Sequence, residues 1–372
     1  MKITDRIKND CRFLISRFGV YFMPSQKIQN LSAEEAERTL SKHSPDPGTS
    51  PLWENKTQMQ DYDLSIIVPV YNVERYLDRC MQSILNQKTT YRYQIIAVND
   101  GSTDQSGTLL NRYDAYEHVT ILTQDNKGIS GARNAGLRIA QGRYVMFVDS
   151  DDYLTETAVQ SLLDAAYEGN ADLIQGGYYD IDGKTEAILK STQYKDAFSV
   201  PPNGCVTGMA WGKVYKAHLF EKICFPEKYW FEDTIVTALL THLANRVATV
   251  SDMVYFYRQN NAGITRTSVG KPKSVDAFYV QRCVLNARQA LGMKTDKAFY
   301  EHLLKMVVLC YQRTANEPES VKKSMFVLIQ NMLKTSRGTN TFTVGKRYRN
   351  LEKAVVQGEY GKYCLICKFG LN

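Results

Sequence analysis

From Leu64 onward the chain alternates short β-branched runs with amphipathic stretches, and this rhythm restricts it to folds built on a largely parallel sheet. Leu64–Val70, Tyr93–Val98, Val119–Leu122 and Tyr144–Val148 read as strands, and Asp172–Ile174 begins a fifth. Between them lie helical patterns. Asn72 is placed to cap a helix carrying Val73, Leu77, Cys80, Ile84 and Leu85 on one face, and Ser102–Gln105 has the form of a capping box. Ile129–Ala140 reads as a helix stopped by Gly142, and Thr155–Tyr167 as one ended by Gly169. Strand and helix alternating at this spacing predict βαβ units with right-handed crossovers. After about residue 185 the alternation fades, and from Ser274 to Leu333 the pattern is mainly helical.

The 372 residues exceed one average domain, and 44% hydrophobic with 23% charged residues is ordinary for a globular protein. The expected organisation is an extension over residues 1–60, an α/β domain over 61–265 and a helical, basic region over 266–372. No run of about 18 apolar residues occurs, so no membrane-spanning helix is expected. The first 30 residues do not read as a signal peptide. Eight scattered cysteines fit a reducing, cytoplasmic setting, and the pair Cys364 and Cys367 lacks the further ligands of a zinc site.

The net charge of +7 is concentrated at the two ends. Ile3, Ile7, Cys11, Leu14 and Phe18 form one face of a basic amphipathic helix in residues 1–20, able to lie on an anionic bilayer or to dock on the main domain. Lys346–Arg349 and the Tyr360–Phe369 stretch suit the same surface, so peripheral contact with the inner face of the cell membrane is expected. Basic ends without a recognition motif do not indicate a nucleic-acid partner.

In a parallel sheet, ligands bind beyond the carboxyl ends of the strands. Three polar clusters fall at such ends: Val70–Asn72, Asn99–Ser102 and Asp149–Asp152. Asp149, Asp151 and Asp152, interrupted only by Ser150, repel one another unless a cation or donors neutralise them, and hard divalent ions share oxygen ligands with substrate phosphates. The cluster therefore reads as a metal–diphosphate site, or as a loop in which Ser150 or Asp152 caps the next helix. Asn99–Asp104 reads either as a turn with a helix cap or as a nucleotide contact through Asp100. The glycine-rich stretch Asp125–Gly136 allows close backbone approach to a ligand, with Lys127 and Arg133 able to face phosphate or base. It matches neither a Walker loop nor a dinucleotide fingerprint.

Together the segments "SIIVPVYNVERYLDRCMQSILNQ", "VNDGSTDQS", "NKGISGARNAGLRIAQGRYVMFVDSDD" and "WGKVYKAHLF…WFEDT" resemble the family 2 glycosyltransferases of the GT-A fold, over about Leu64 to Arg258. The likeness is greatest to bacterial enzymes of capsule, exopolysaccharide and O-antigen synthesis. It implies a Rossmann-like sheet flanked by helices, and inverting transfer from a nucleotide-sugar, UDP foremost, to a glycan or lipid-linked acceptor. It also implies a divalent metal, Mn²⁺ or Mg²⁺.

Position by position, the resemblance assigns Pro69, Val70, Tyr71 and Glu74 to the nucleobase pocket and Asp100 to uracil. Lys127 and Arg133 fall to the nucleotide, and Asp149, Ser150 and Asp151 to the ribose–diphosphate and metal, Asp151 being the direct ligand with Asp149 beside it. Glu232 and Asp233 match the acidic catalytic motif, Asp233 as general base; by pattern alone Asp233 equally suits a helix cap. Trp211, Gly212 and Lys213 match a segment lining the sugar and acceptor cleft, with a core role for Trp211 as the alternative. Tyr257 and Arg258 match a segment that reaches the diphosphate. Asn99 departs from members that carry a second Asp there. The region from Gly176 to Met209 and the helical tail are left to choose the sugar and acceptor. A nucleotidyltransferase would want a glycine- and Lys/Arg-rich loop where Pro69–Asn72 stands. A non-catalytic nucleotide- or glycan-binding module would have no need of Glu232 and Asp233.

Overall fold

The computed structural model describes residues 27–28, 30–54, 61–201, 206–260, 263, 267–268 and 270–369. The expected amphipathic helix of residues 1–20 lies outside them. The chain divides into two compact units. One takes the described residues within Thr49–Lys228 and Glu232–Asn261, the other those within Met1–Gly48, Tyr229–Phe231 and Ala262–Asn372.

Among the described residues of the first unit, nine strands join one sheet: β1 (Tyr62–Val70), β2 (Tyr93–Asp100), β3 (Val119–Gln124), β4 (Gly142–Phe147), β5 (Tyr153–Leu154), β6 (Leu173–Asp182), β7 (Ile188–Thr192), β8 (Lys213–Lys216) and β9 (Val247–Gln259). The order is β3-β2-β1-β4-β8-β6-β9-β5, with β7 on β6. The four strands β3, β2, β1 and β4 are parallel, as the alternation predicts. From β4 on, the sheet is mixed. β8 enters antiparallel between β4 and β6, β7 pairs antiparallel with β6 and β5 antiparallel with β9, and β6 and β9 return to parallel. β8 spans only four residues, too few to show a period.

Leu64, Ile66, Ile67, Val68 and Val70 of β1 are fully buried, as are Ile95, Ile96 and Ala97 of β2, because helices cover both faces of a parallel sheet. Leu77, Cys80, Met81 and Ile84 of helix Leu77–Leu85 are buried against this core. That helix begins five residues after Asn72, which instead takes φ 52 and accepts the Thr103 amide at 2.8 Å. The Ser102–Gln105 segment likewise does not cap by its first residue. Helix Ser106–Leu110 starts after it, and Asp104 accepts the Ser106 amide at 2.9 Å.

The second unit is helical: Ala33–His43, Asp276–Ala290, Lys297–Arg313, Glu319–Arg337, Lys346–Val356 and Tyr360–Phe369. The capping box at Ser32 and Glu35 is present in both directions. Phe299, Tyr300, Leu303, Phe326, Ile329 and Tyr363 form its buried interior. Cys310 and Cys367 are buried free thiols. Among the described residues no helix is long and apolar enough to cross a membrane.

Candidate functional site

The strand order reverses at β1, which has β2 on one side and β4 on the other. Crossovers on the two sides of such a point leave in opposite directions, and a crevice opens beyond the carboxyl ends. The register brings Val70 beside Asn99, Asp100 beside Gln124 and Ile67 beside Phe147, so the loops after β1, β2, β3 and β4 emerge along one edge. Of the residues proposed from the sequence for the nucleotide half, Pro69, Val70, Tyr71, Glu74, Asp100, Lys127, Asp149, Ser150 and Asp151 lie on these strands or in the loops after them, whereas Arg133 lies on a helix, Trp211 just before β8, and Tyr257 and Arg258 on β9.

The loops after β1, β2 and β3 are tied to one another. Glu74 accepts the Gln105 amide at 3.0 Å, and Asp104 accepts the Glu74 amide at 3.1 Å. Asp100 is 2% exposed and accepts from the Lys127 amide at 2.9 Å and from Gln124 Nε2 at 2.7 Å. Gly101 has φ 70, and a Cβ there would stand 2.9 Å from the Asn126 nitrogen, so only glycine lets these two backbones meet. Tyr71 is 47% exposed, and Lys127 is exposed as well. Pro69 and Val70 are buried, so their contribution to the rim is backbone.

The loop after β4 carries the acidic run, and its three carboxylates have three environments. Asp149 accepts from Arg133 Nη2 at 2.7 Å, and its own amide donates to the Tyr255 hydroxyl at 3.1 Å. Asp152 is buried. It accepts from the Tyr255 hydroxyl at 2.9 Å and from the Arg258 amide at 2.7 Å. It does not cap the next helix, which starts at Ala158 with Thr157 at its N-cap. Ser150 is buried beside it. Asp151 meets Asn260 Nδ2 at 3.5 Å, a weak contact. Burial, then the charge of Asp149, raises the Asp151 carboxyl above its usual range, and burial with both neighbouring charges raises Asp152 well above it.

Both shifts come first from burial and then from the mutual repulsion of the aspartates in this loop. Among the described residues no three His, Cys, Asp or Glu side chains are grouped to hold a metal by themselves. Asp149 and Asp151 fit the other mode, in which one or two carboxylates bind a hard cation whose remaining ligands are water and substrate phosphate.

Arg133 projects from helix Gly128–Ile139 and is 2% exposed. Its Nη1 donates to Glu232 at 2.8 Å while Nη2 holds Asp149, so one guanidinium joins the acidic loop to the second acidic motif. Burial pushes the Glu232 carboxyl up to about 7, opposed by Arg133 and reinforced by Asp233. The backbone reaches Glu232 through Phe231 at φ 65, a left-handed conformation that is costly for a bulky side chain. Asp233 is partly buried, and the helical turn Val236–Leu240 that follows has Ile235 at its N-cap with no side-chain cap.

Two further elements support this half. Lys213 is buried and donates through Nζ to Met209 O at 2.7 Å, Thr207 Oγ1 at 3.0 Å and Trp211 O at 3.2 Å. Burial draws its ammonium down to about 7, against the pull of Asp233. Trp211 is 4% exposed and lies in an aromatic stack, 4.5 Å from the Tyr255 ring and 4.9 Å from Tyr257. Its place is therefore the core under the site, the alternative its apolar surroundings had left open. Arg258 donates through Nε to Asp151 O at 2.8 Å and through Nη2 to Glu186 at 2.6 Å. Sequence reasoning missed Tyr255, Glu186 and Asn260. Tyr255 sits in a strand pattern that reads as core, and nothing local marks Glu186 or Asn260.

Residues 65–232 match glycosyl transferase family 2. Glycosyltransferase GlyA of Streptococcus pneumoniae serotype 4 is 34% identical over 66% of this chain and 38% of its own length. Glycosyltransferase GlyG of the same organism is 30% identical over 55% of this chain and 73% of its own length. The chain thus spans well under half of the first relative and about three quarters of the second. The crystal structure of S. aureus TarS residues 1–349 in complex with UDP-GlcNAc superposes with a TM-score of 0.63 at 19% identity, covering 81% of this chain and 89% of that one. A complex of the same protein with UDP superposes with a TM-score of 0.62. At that identity the likeness establishes a common fold, the GT-A arrangement anticipated from the sequence motifs.

Proposed function

The chain belongs to glycosyl transferase family 2, and from that premise we propose that it moves a sugar from a nucleotide diphosphate, UDP foremost, to a hydroxyl of a glycan or lipid-linked acceptor in surface polysaccharide synthesis. The observation that carries this reading is the buried Arg133, which joins Asp149 of the nucleotide loop to Glu232 of the acidic pair in one ion cluster. A nucleotide-binding module alone would need only the first half of that cluster. The complexes of TarS with UDP and UDP-GlcNAc support UDP as the donor nucleotide.

In this reading Tyr71 and Asp100 sit at the nucleobase end, and Asp149 and Asp151 at the diphosphate. A divalent cation, Mn²⁺ or Mg²⁺, held by Asp149 and Asp151 would supply neutralisation of the charge that grows on the leaving diphosphate. Asp233 removes the proton of the acceptor hydroxyl as the new bond forms. The sugar C1 passes through an oxocarbenium-like state and inverts in a single displacement, with no covalent enzyme intermediate. Glu232, paired with Arg133, stands next to Asp233 in the chain. The basic termini point to peripheral contact with an anionic bilayer, which co-sedimentation with vesicles of anionic lipid would detect.

The deciding experiment screens UDP-, GDP- and dTDP-sugars with Mn²⁺ by thermal shift, since a bound donor raises apparent stability. Product analysis with the best donor then follows. Release of UDP supports transfer, and release of pyrophosphate identifies a nucleotidyltransferase instead. Asp233→Asn should keep UDP binding and lose transfer; transfer at a rate near wild type would remove Asp233 as the base.

A further inference from the structure

We propose that Arg133 is a positioning residue that couples donor binding at Asp149 to the acidic pair at Glu232 and Asp233. The inference rests on the donor reading above and adds a link between its two halves. Arg133 is not placed as a surface phosphate hook. Its side chain is 3% exposed, and its guanidinium stands 5.1 Å from the Phe225 ring centroid and 6.0 Å from that of Phe147, while the Asp149 side chain it holds is 22% exposed. Its two terminal nitrogens are divided between two acidic motifs that lie 83 residues apart in the chain, Asp149 at 2.7 Å and Glu232 at 2.8 Å. Its Nε has no hydrogen-bond partner among the described residues, so the two carboxylates take up the directed bonding of the fork.

The charges explain why such sharing couples the two ends. Burial opposes the charge on Arg133, but Asp149, Glu232 and Asp233 outweigh it and hold the guanidinium protonated, so one cation serves an excess of anionic groups. Neutralising either bonded carboxylate shifts the guanidinium toward the other. A cation and diphosphate arriving at Asp149 compete with Arg133 for that carboxylate and leave the guanidinium to Glu232, which stays ionised and fixed beside Asp233. The acidic pair is thereby set when the donor is in place. Linkage makes the effect reciprocal: the state of Glu232 sets how strongly Arg133 competes for Asp149, and with it donor affinity. Only arginine has this capacity, because its planar fork reaches two acceptors in fixed directions, whereas a lysine ammonium is a single point of charge.

The test is a double-mutant cycle read by binding. UDP affinity in the presence of Mn²⁺ is measured by titration calorimetry on the full chain for wild type, Glu232→Gln, Arg133→Lys and the double variant. Glu232→Gln leaves the guanidinium wholly to Asp149 and should weaken UDP binding by roughly 3- to 10-fold in the wild-type background. In the Arg133→Lys background, where the fork is gone, the same change should nearly disappear. An unchanged affinity in Glu232→Gln, or an equal loss in both backgrounds, overturns the coupling. A wild type that binds no UDP with Mn²⁺ overturns the donor reading and the coupling together. Should Arg133→Lys fail to melt cooperatively, the carboxyl carbon resonances of glutamate-labelled wild type serve instead. The Glu232 signal, identified by its loss in Glu232→Gln, should titrate at lower pH with Mg²⁺ and UDP bound, and an unmoved titration overturns the proposal.

Discussion

At Gly136 helix Gly128–Ile139 packs directly on Ile67 of β1, and its replacement by alanine tests whether that approach sets the site. A Cβ at 136 would stand 2.5 Å from Ile67 Cγ2 and 3.2 Å from Ile67 Cγ1, about 1 Å short of ordinary contact for the first. Ile67 is fully buried in β1, paired with Ile96 and Phe147, and as a β-branched side chain it has little freedom to turn aside. On an unobstructed helix the change would stabilise by roughly 0.5–1 kcal/mol. Overpacking a filled core costs roughly 1–3 kcal/mol, and a contact this short belongs at the upper end. The overpacking wins, and a net loss of about 2 kcal/mol is expected in urea unfolding, with the slope m unchanged.

The same displacement reaches the chemistry, because Arg133 lies three residues earlier on that helix, so UDP binding should weaken along with stability. Ile67→Ala removes the obstructing atoms. Alone it costs roughly 2–5 kcal/mol, but combined with Gly136→Ala it should cost less than the sum by about 1 kcal/mol or more. A Gly136→Ala protein more stable than wild type, or strict additivity in the double variant, would refute the reasoning.

Two further outcomes follow from the charges. Asp151→Asn removes one member of a repelling trio, so it should raise the thermal midpoint of metal-free protein while weakening Mn²⁺-dependent UDP binding; a fall in both quantities contradicts the assignment. Folding raises the Glu232 carboxyl from 4.5 to about 7, so its favourable contribution is complete below the unfolded value and is lost as pH rises through about 7. Glu232→Gln should therefore flatten the decline in stability between about pH 5 and pH 8, measured as the urea midpoint at each pH, and an unchanged profile would show that another group governs it.

The parallel half of the fold was legible because β1, β2 and β4 are buried on both faces and so must be continuous apolar runs, which the sequence displays without ambiguity. Asp149, Asp100 and Tyr71 could be placed on one edge for the same reason: each follows a strand or ends one, and parallel strands end together. The mixed half was not legible. Its strands pair across long separations, as β6 with β9, and β8 is too short for a pattern. The partners of the acidic residues were hidden in the same way. That Arg133 would turn from the nucleotide to Glu232, 99 residues away, depends on a helix packing that no local motif encodes. Loop details such as Asn72 and Ser102 were misread as caps because their side chains have two ways to satisfy a nearby amide, and the neighbouring loop, not their own helix, supplied the one used.

Tyr255 carries a consequence for the order in which this chain can become competent. Its hydroxyl receives the Asp149 amide and donates to Asp152, across separations of 106 and 103 residues. During synthesis the strands that define the crevice emerge first, and the acidic loop emerges with them, but the hydroxyl that bridges Asp149 and Asp152 arrives only with β9. Closing so long a connection is the slow part of assembling a sheet. A nascent chain that has passed β4 therefore already has Arg133 to hold Asp149, but Asp152 lacks its Tyr255 and Arg258 partners until β9 docks, and under the proposed function the donor site is complete only then. Competence to bind is in this sense a late checkpoint of folding, reached after the strands that form the crevice are already in place.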